Sequence, residues 1–551
     1  KLWRHAPCGE PQKRQSFRPV LNPRLPGDSK PVTPLARLIR PAIFIPVLMV
    51  LATGAATAEP SPAAVYPGET GNYLAGQQAL KDLDTAAAQS YFGEAAKDAW
   101  DDPVIIDRDF TAQAANGDIE AAALTAKHLL DLDPSNDLAR LVLGTADLKA
   151  RRYDAAIGEL SPLGTDNFTG VTGAILKAWA FTGEGKLDQG MDSLQPLAKG
   201  GLEDFLVFHE ALMADVAGDS TQALKLGKKA YEADPQVARI VEAYARMLGN
   251  AGKFQDATAV VANYEAQGLS HPLIDVVKTA LKARKRPGLF ADSVQSGAAE
   301  MFHGIAVSMA RDGSSDLAVI FLRLAHYLDP QSDVVTLVLG QLLDQSDQHE
   351  AANALYNSIP ATSPMKDTAV VRIALNLDAT GDRSEAIRRL ANIVTTSPDD
   401  IEALSTLGDL QRYDKQYAAS AETYSKVLEI VGGDHPADWR YFYNRGIAYE
   451  RAGEWDKAEP DFLKALKLNP DQPQVLNYLG YSWVDKGMHL QEALVIIQKA
   501  VRQVPQDGLI VDSLGWAYYK LGRIDDAVRT LEQAVQLQPN DPEINDHLGD
   551  A

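Results

Sequence analysis

From Asp507 to Asp541 the chain reads DGLIVDSLGWAYYKLGRIDDAVRTLEQAVQLQPND, with small and bulky apolar residues at fixed places: Gly515, Tyr518, Ala527, Leu531, Ala534, then Pro539. This pattern predicts two antiparallel helices. Gly515 and Ala527 face each other, where small side chains let two helix backbones approach closely. Tyr518 and Leu531 fill the space beside that contact, and Ala534 is the small contact to the next unit. Gly522 breaks the chain between the helices. Pro539 stops the second one, because it cannot continue the hydrogen-bond ladder and restricts the residue before it.

The frame recurs upstream. Gly446, Tyr449, Ala458, Phe462, Ala465 and Pro470 repeat it, and Gly480, Ala493, Ala500 and Pro505 do so with one extra residue in the turn. Gly408 with Tyr424, Gly340 with Ala352 and Tyr356, and Ala306 with Ala318 carry it back. In the first half it is seen at Ala211 with Ala223, Ala245 with Ala257, Ala178 with Gly190, Gly144 with Ala156, and Ala75 with Ala87. With a period of about 34 residues, the pattern resembles the tetratricopeptide repeat. The resemblance implies an all-α superhelical solenoid of antiparallel helix pairs, about thirteen repeats in two blocks. The blocks span 59–270 and 299–541. Between them, 271–298 holds the run Ala283-Arg284-Lys285-Arg286-Pro287-Gly288 and reads as an irregular joint. Residues 542–551 begin a further first helix, read as a truncated repeat.

Composition supports a helical array. The chain has 551 residues, of which 46% are hydrophobic, and Ala and Leu dominate them, as helix propensity favours. A net charge of −21 gives a surface that repels phosphate backbones, which argues against nucleic acid as a partner. Cys8 is the single cysteine, so neither an internal disulfide nor a cysteine metal site can form.

The segment 35–58, LARLIRPAIFIPVLMVLATGAATA, is an address. Arg37 and Arg40 precede an apolar run from Pro41 to Ala52, and Ala56-Thr57-Ala58 supplies the small residues a signal peptidase reads. Roughly a dozen apolar residues are too few to span a bilayer and suit a signal peptide. Export to the periplasm, with cleavage after Ala58, is the expectation. No Cys follows the run, so lipid anchoring is not expected. Residues 1–34, rich in Pro, Arg and Lys, read as a disordered leader or upstream extension.

In such a solenoid the first helix of each pair lines the concave face, and its side chains report on a ligand. The candidates there are Arg440, Tyr443, Glu450, Asn477, Tyr481, Asp512, Trp516 and Tyr519. Aromatic and Arg side chains are those that most often anchor interfaces; the alternative is that several of these rings pack between repeats. The carboxylate clamp of some tetratricopeptide repeats has no Lys counterparts here. Catalysis has little support: His128, His209, His303, His326, His349, His435 and His547 are scattered, and no HExxH, Walker or GxSxG motif occurs. No cofactor or metal is expected.

The blocks Asn477-Tyr478-Leu479-Gly480-Tyr481, Asp512-Ser513-Leu514-Gly515-Trp516 and His547-Leu548-Gly549-Asp550 resemble a proteobacterial group of these repeats. That group includes the outer-membrane lipoprotein adaptor of a periplasmic carboxy-terminal processing protease. The resemblance implies a protein- or peptide-binding scaffold that recruits such a protease, without enzymatic activity of its own. Two alternatives remain open at this stage: a factor for assembly of the cell envelope or an exopolysaccharide, and the regulatory region of a larger protein.

Overall fold

The computed structural model describes residues 69–551; the leader at 1–34, the signal peptide at 35–58 and the cleavage after Ala58 lie outside the described residues. Among those described there are 28 α-helices and no strand. They form thirteen antiparallel pairs, from Glu69–Lys81 with Thr85–Asp98 to Gly508–Lys520 with Ile524–Leu537, and two helices, Pro272–Lys282 and Pro542–Asp550, stand outside the pairing. None is long and apolar enough to cross a membrane.

Local chemistry sets the helix ends. Asp507 accepts hydrogen bonds from the amides of Leu509 and Ile510 at 3.1 and 3.2 Å. Asp541 does the same for Glu543 and Ile544 at 3.0 and 3.1 Å. Each carboxylate satisfies N–H groups that the first helical turn leaves unpaired, at the positive end of the helix dipole.

Pairing rests on a small residue of the first helix meeting a large one of the second. A Cβ on Gly515 would lie 2.5 Å from Leu531 Cγ, one on Gly340 2.4 Å from the Tyr356 ring, and one on Gly446 2.8 Å from Phe462. The second small position takes up the backbone on the other side: Ser420, standing where other pairs have Ala, donates its hydroxyl proton to the Gly408 carbonyl at 2.7 Å. In the first pair the contact residues are Gly76, against Phe92, and the fully buried Ala88. That is one residue beyond Ala75 and Ala87, which are only partly buried.

The described chain divides into two compact units, which meet in sequence at Arg372 and Ile373. Residues 271–298 fall inside the first unit. They comprise the helix Pro272–Lys282, a non-helical run 283–293 with Arg284 and Gly288 at φ 52° and 81°, and the start of the helix Val294–Arg311. The chain does not part there because the next helices fold back on the unit's own first helices. Val294–Arg311 packs on Phe168–Gly183 and Glu203–Val216, and Ser315–Leu328 on Pro103–Asn116 and Asp137–Lys149.

That hairpin is seated by close packing and by buried polar bonds. Gly297 lies against Trp179, so that a Cβ would come within 2.1 Å of the indole ring. Gln295 donates to the Leu148 carbonyl at 2.7 Å, and Arg323 to the Ala115 carbonyl at 3.1 Å. Arg239 grips Glu300 with two hydrogen bonds of 3.0 and 2.7 Å and reaches Glu242 at 2.8 Å. Burial by itself would raise the Glu300 pKa, but Arg239 and His303 outweigh it and hold the carboxyl far below its usual range. His209, enclosed by Trp179, Phe205 and Phe208, has neither ring nitrogen hydrogen-bonded. Burial pushes its pKa down to about 4, so the ring is neutral.

Two glycine substitutions separate these effects. Gly522 has φ 74° and open space around it, so Gly522→Ala should cost about 1 kcal/mol, through the backbone alone. Gly297→Ala gains about 1 kcal/mol of helix propensity but overpacks a rigid buried indole at a cost of about 3 kcal/mol, and should lose about 2 kcal/mol overall. Urea unfolding of the two variants checks this. A Gly297→Ala loss no larger than that of Gly522→Ala would mean that the Trp179 contact does not seat the hairpin.

Candidate functional site

In the second unit, Ile373–Ala551, the first helices of successive pairs lie beside one another. Ile401–Tyr413 touches Trp439–Arg451, Pro473–Asp485 touches Gly508–Lys520, and the last of these touches Pro542–Asp550. Because each helix is held in register by its contact glycine, equivalent side chains line up along one face. Three residues before the glycine stand Ser405, Tyr443, Asn477 and Asp512; just after it stand Tyr481 and Trp516.

Four of the eight sequence candidates come together. Trp516, 9% exposed, stacks on Tyr519 with ring centroids 4.9 Å apart and on His547 at 4.1 Å. Asp512, 4% exposed, is hydrogen-bonded through Oδ2 to His547 Nδ1 at 2.9 Å. Tyr481 donates its hydroxyl proton to Glu543 at 2.9 Å. The Lys520 ammonium sits 4.8 Å from the Trp516 ring centroid.

The remaining candidates lie elsewhere on the unit. Tyr443 packs among Trp439, Phe462 and Tyr478 at 6.1, 6.2 and 6.0 Å, and burial pushes its hydroxyl up to about 12. Glu450 accepts from the Tyr478 hydroxyl at 3.2 Å and has Lys486 at 3.9 Å. Arg440 turns to its neighbour, donating to the Tyr441 hydroxyl at 3.0 Å with its guanidinium over that ring. Asn477 is half-buried, and its side-chain carbonyl has no hydrogen-bond partner.

Sequence reasoning missed His547, Glu543 and Ser405. The first two lie in 542–551, the segment whose sequence reads as a truncated repeat and so falls outside the predicted face. The signal was present: Asp541-Pro542 opens a capped helix, and Gly549 stands on it 34 residues after Gly515, with His547 35 residues after Asp512. The closing of the first unit's face also went unread. Val294–Arg311 buries residues all round, among them Gln295, Met301, Phe302 and Met309, and a helix apolar on every side has to be enclosed.

Three stretches match family models: residues 439–472 and 110–161 match models described as tetratricopeptide repeat, and 515–551 one described as TPR repeat. They take in the contacts of Gly446 with Phe462, Gly515 with Leu531 and Gly144 with Leu160. The fold is a tetratricopeptide-repeat solenoid. Among curated relatives, the TPR repeat-containing protein PA4667 of Pseudomonas aeruginosa is 31% identical over 228 residues, 40% of this chain and 36% of that protein. The human protein O-mannosyl-transferase TMTC1 is 24% identical over 198 residues, covering 36% of this chain and 22% of its own. The chain thus spans about a third or less of the length of these relatives. The crystallised YrrB, described as a TPR protein with an unusual peptide-binding site, aligns with 18% identity and a TM-score of 0.28 over 33% of this chain and 91% of its own.

The Asp512–His547 pair makes this end of the solenoid sensitive to pH. Burial acts to lower the His547 pKa, but its hydrogen bond to Asp512 and the nearby Asp512, Glu543 and Asp546 charges outweigh burial and raise it. Burial likewise raises the Asp512 pKa against the pull of His547. A His whose folded pKa is raised stabilises fully below the unfolded value of about 6.5, and that contribution is lost as pH climbs through the folded value. Hydrogen-exchange protection of residues 542–550 should therefore fall as pH rises above about 6.5. His547→Gln should flatten that dependence, and an unchanged profile in the variant would show that another group controls it.

Proposed function

We propose that this tetratricopeptide-repeat protein is a non-catalytic scaffold of the periplasm, which receives partner proteins or peptides on the first-helix face of its second unit. One observation carries the reading. Tyr481, Asp512, Trp516 and Tyr519 gather on that face, whereas the equivalent face of the first unit is covered by its own hairpin. Flat aromatic side chains with polar edges are the usual anchors of protein interfaces.

Export is supported by the positive flank at Arg37 and Arg40, the apolar run and Ala56-Thr57-Ala58. A processing protease as a partner is supported by the likeness of the final blocks to the adaptor group. Affinity capture from periplasmic extract tests both. The native protein should retain a processing protease, and a Trp516→Ala/Tyr481→Ala variant that folds normally should retain at least tenfold less. Equal retention would reject this face. Capture without any protease would reject the adaptor role, and a chain in the cytoplasm whose N-terminus precedes Glu59 would reject export.

A further inference from the structure

The run Ala283-Arg284-Lys285-Arg286-Pro287-Gly288 follows the helix Pro272–Lys282 in the first unit and lies outside the first-helix face of the second. Lys282, Arg284, Lys285 and Arg286 are all exposed, and none of their side chains has an ion-pair or hydrogen-bond partner. Other exposed cations of the first unit, such as Lys229 and Arg152, stand beside an acid: Glu203 and Asp147, each at 2.6 Å. On the helix before the run, Lys278 is bonded to Glu265, and Lys278 and Lys282 both act on Asp275. Past Lys282, three consecutive cations stay unanswered in a chain of net charge −21.

The backbone of this turn is fastened, so the charges are held out in a fixed place. The amides of Arg284 and Lys285 donate to the Leu281 and Ala280 carbonyls at 3.0 and 2.9 Å. Arg246 donates to the Pro287 carbonyl at 2.7 Å, and Asn250 holds Gly288 through both its amide and its carbonyl at 3.1 and 3.0 Å. Pro287 lies against Gly249, where a Cβ would come within 2.9 Å of its ring. Phe290 turns inward, with the Arg239 guanidinium 4.2 Å from its ring centroid and Phe208 beside it. Leu289, between these anchored neighbours, is left 41% exposed. Val276, on the exposed side of the preceding helix, is a second aliphatic side chain in solvent at 44%.

At physiological salt a charge is screened within about 8 Å, so the acidic excess elsewhere in the chain does not cancel these cations. Their unpartnered side chains offer no set geometry to a single carboxylate or phosphate, whereas a sheet of anionic headgroups requires none. Such a surface strengthens association roughly fivefold for each Lys or Arg brought close to it. An aliphatic side chain beside the cations enters the boundary between headgroups and acyl chains. An acidic polypeptide answers the cations alone and gives Leu289 no apolar cover. We infer that the turn at 282–289 docks the first unit on a bilayer rich in anionic lipid, with Lys282, Arg284, Lys285 and Arg286 at the headgroups and Leu289 inserted among them. This docking surface is independent of the partner-binding face of the second unit.

Partition of the full chain onto vesicles, measured by flotation, tests it. One set of vesicles is phosphatidylcholine, the other about equal parts of phosphatidylcholine and phosphatidylglycerol. Every variant keeps the apolar run at 41–52, so ratios between variants read the turn alone. The native chain should bind the anionic vesicles at least about tenfold more tightly than the neutral ones, and added salt should shrink that preference. Arg284→Gln/Lys285→Gln/Arg286→Gln should lose about 100-fold on anionic vesicles and nothing on neutral ones. Leu289→Ser should lose about fivefold on anionic vesicles at every salt concentration. Equal binding of the native chain to both sets would overturn the inference, and so would a triple variant within roughly threefold of the native affinity. Full affinity of Leu289→Ser, with equally tight binding of soluble polyglutamate by the native chain, would assign the turn to an acidic polypeptide and overturn the bilayer as its occupant.

Discussion

The structure depends on one contact: a residue without bulk on the first helix of each pair, pressed against a large side chain of the second. Gly340 on Tyr356, Gly408 on Tyr424, Gly446 on Phe462 and Gly515 on Leu531 are its clearest forms. The fully buried Tyr356, Tyr424 and Phe462 show how much apolar surface each contact removes from water, and such burial is the main favourable term in folding. Since a helix pair cannot enclose its core alone, each contact also fixes how the next pair stacks. Register follows from it, and with register the alignment of Ser405, Asn477 and Asp512 on one face.

The same contact leads to different outcomes in the two units. In the first, the solenoid turns its first helices onto a hairpin of its own chain. Gly297 permits the close approach to Trp179, and the Arg239–Glu300 bonds supply a charged link that burial alone would disfavour. A buried pair of this kind adds little net stability over apolar packing but is costly to break from one side, so it specifies position more than it strengthens the fold. In the second unit, contacts run between helices one or two repeats apart. There Tyr481, Trp516, His547 and Asp512 are tied to one another rather than to a covering helix.

Much of the fold was legible because small residues at fixed spacing have few uses besides close helix approach. Where Gly and Ala occupied the expected places, as at Gly515 and Ala527 or Gly144 and Ala156, the pairing was readable from letters alone. It slipped by one residue at Ala75 because Gly76 is flanked by alanines that look equally small. It blurred in the pair Pro103–Asn116 and Ile119–Leu132 because the sizes are exchanged: Phe110 stands in the glycine place and Ala126 in the bulky one, both fully buried. The folding back of Val294–Arg311 was not legible, since periodicity reports which face of a helix is apolar and not which distant helix covers it. The candidate face was legible in part: the repeat frame places Trp516 and Tyr519 on it, while their stacking and the bond from Asp512 to His547, which joins two repeats, are not readable from the frame.

The central claim is that partners meet the second unit and not the first. Hydrogen–deuterium exchange of the full chain, with and without a bound partner, tests it most directly. The account expects new protection on the first helices between Ile401 and Asp550, with the exchange of Phe168–Gly183 and Glu203–Val216 unchanged because their inner face is already covered. Protection that appears on those two helices, together with release of Val294–Arg311, would contradict it.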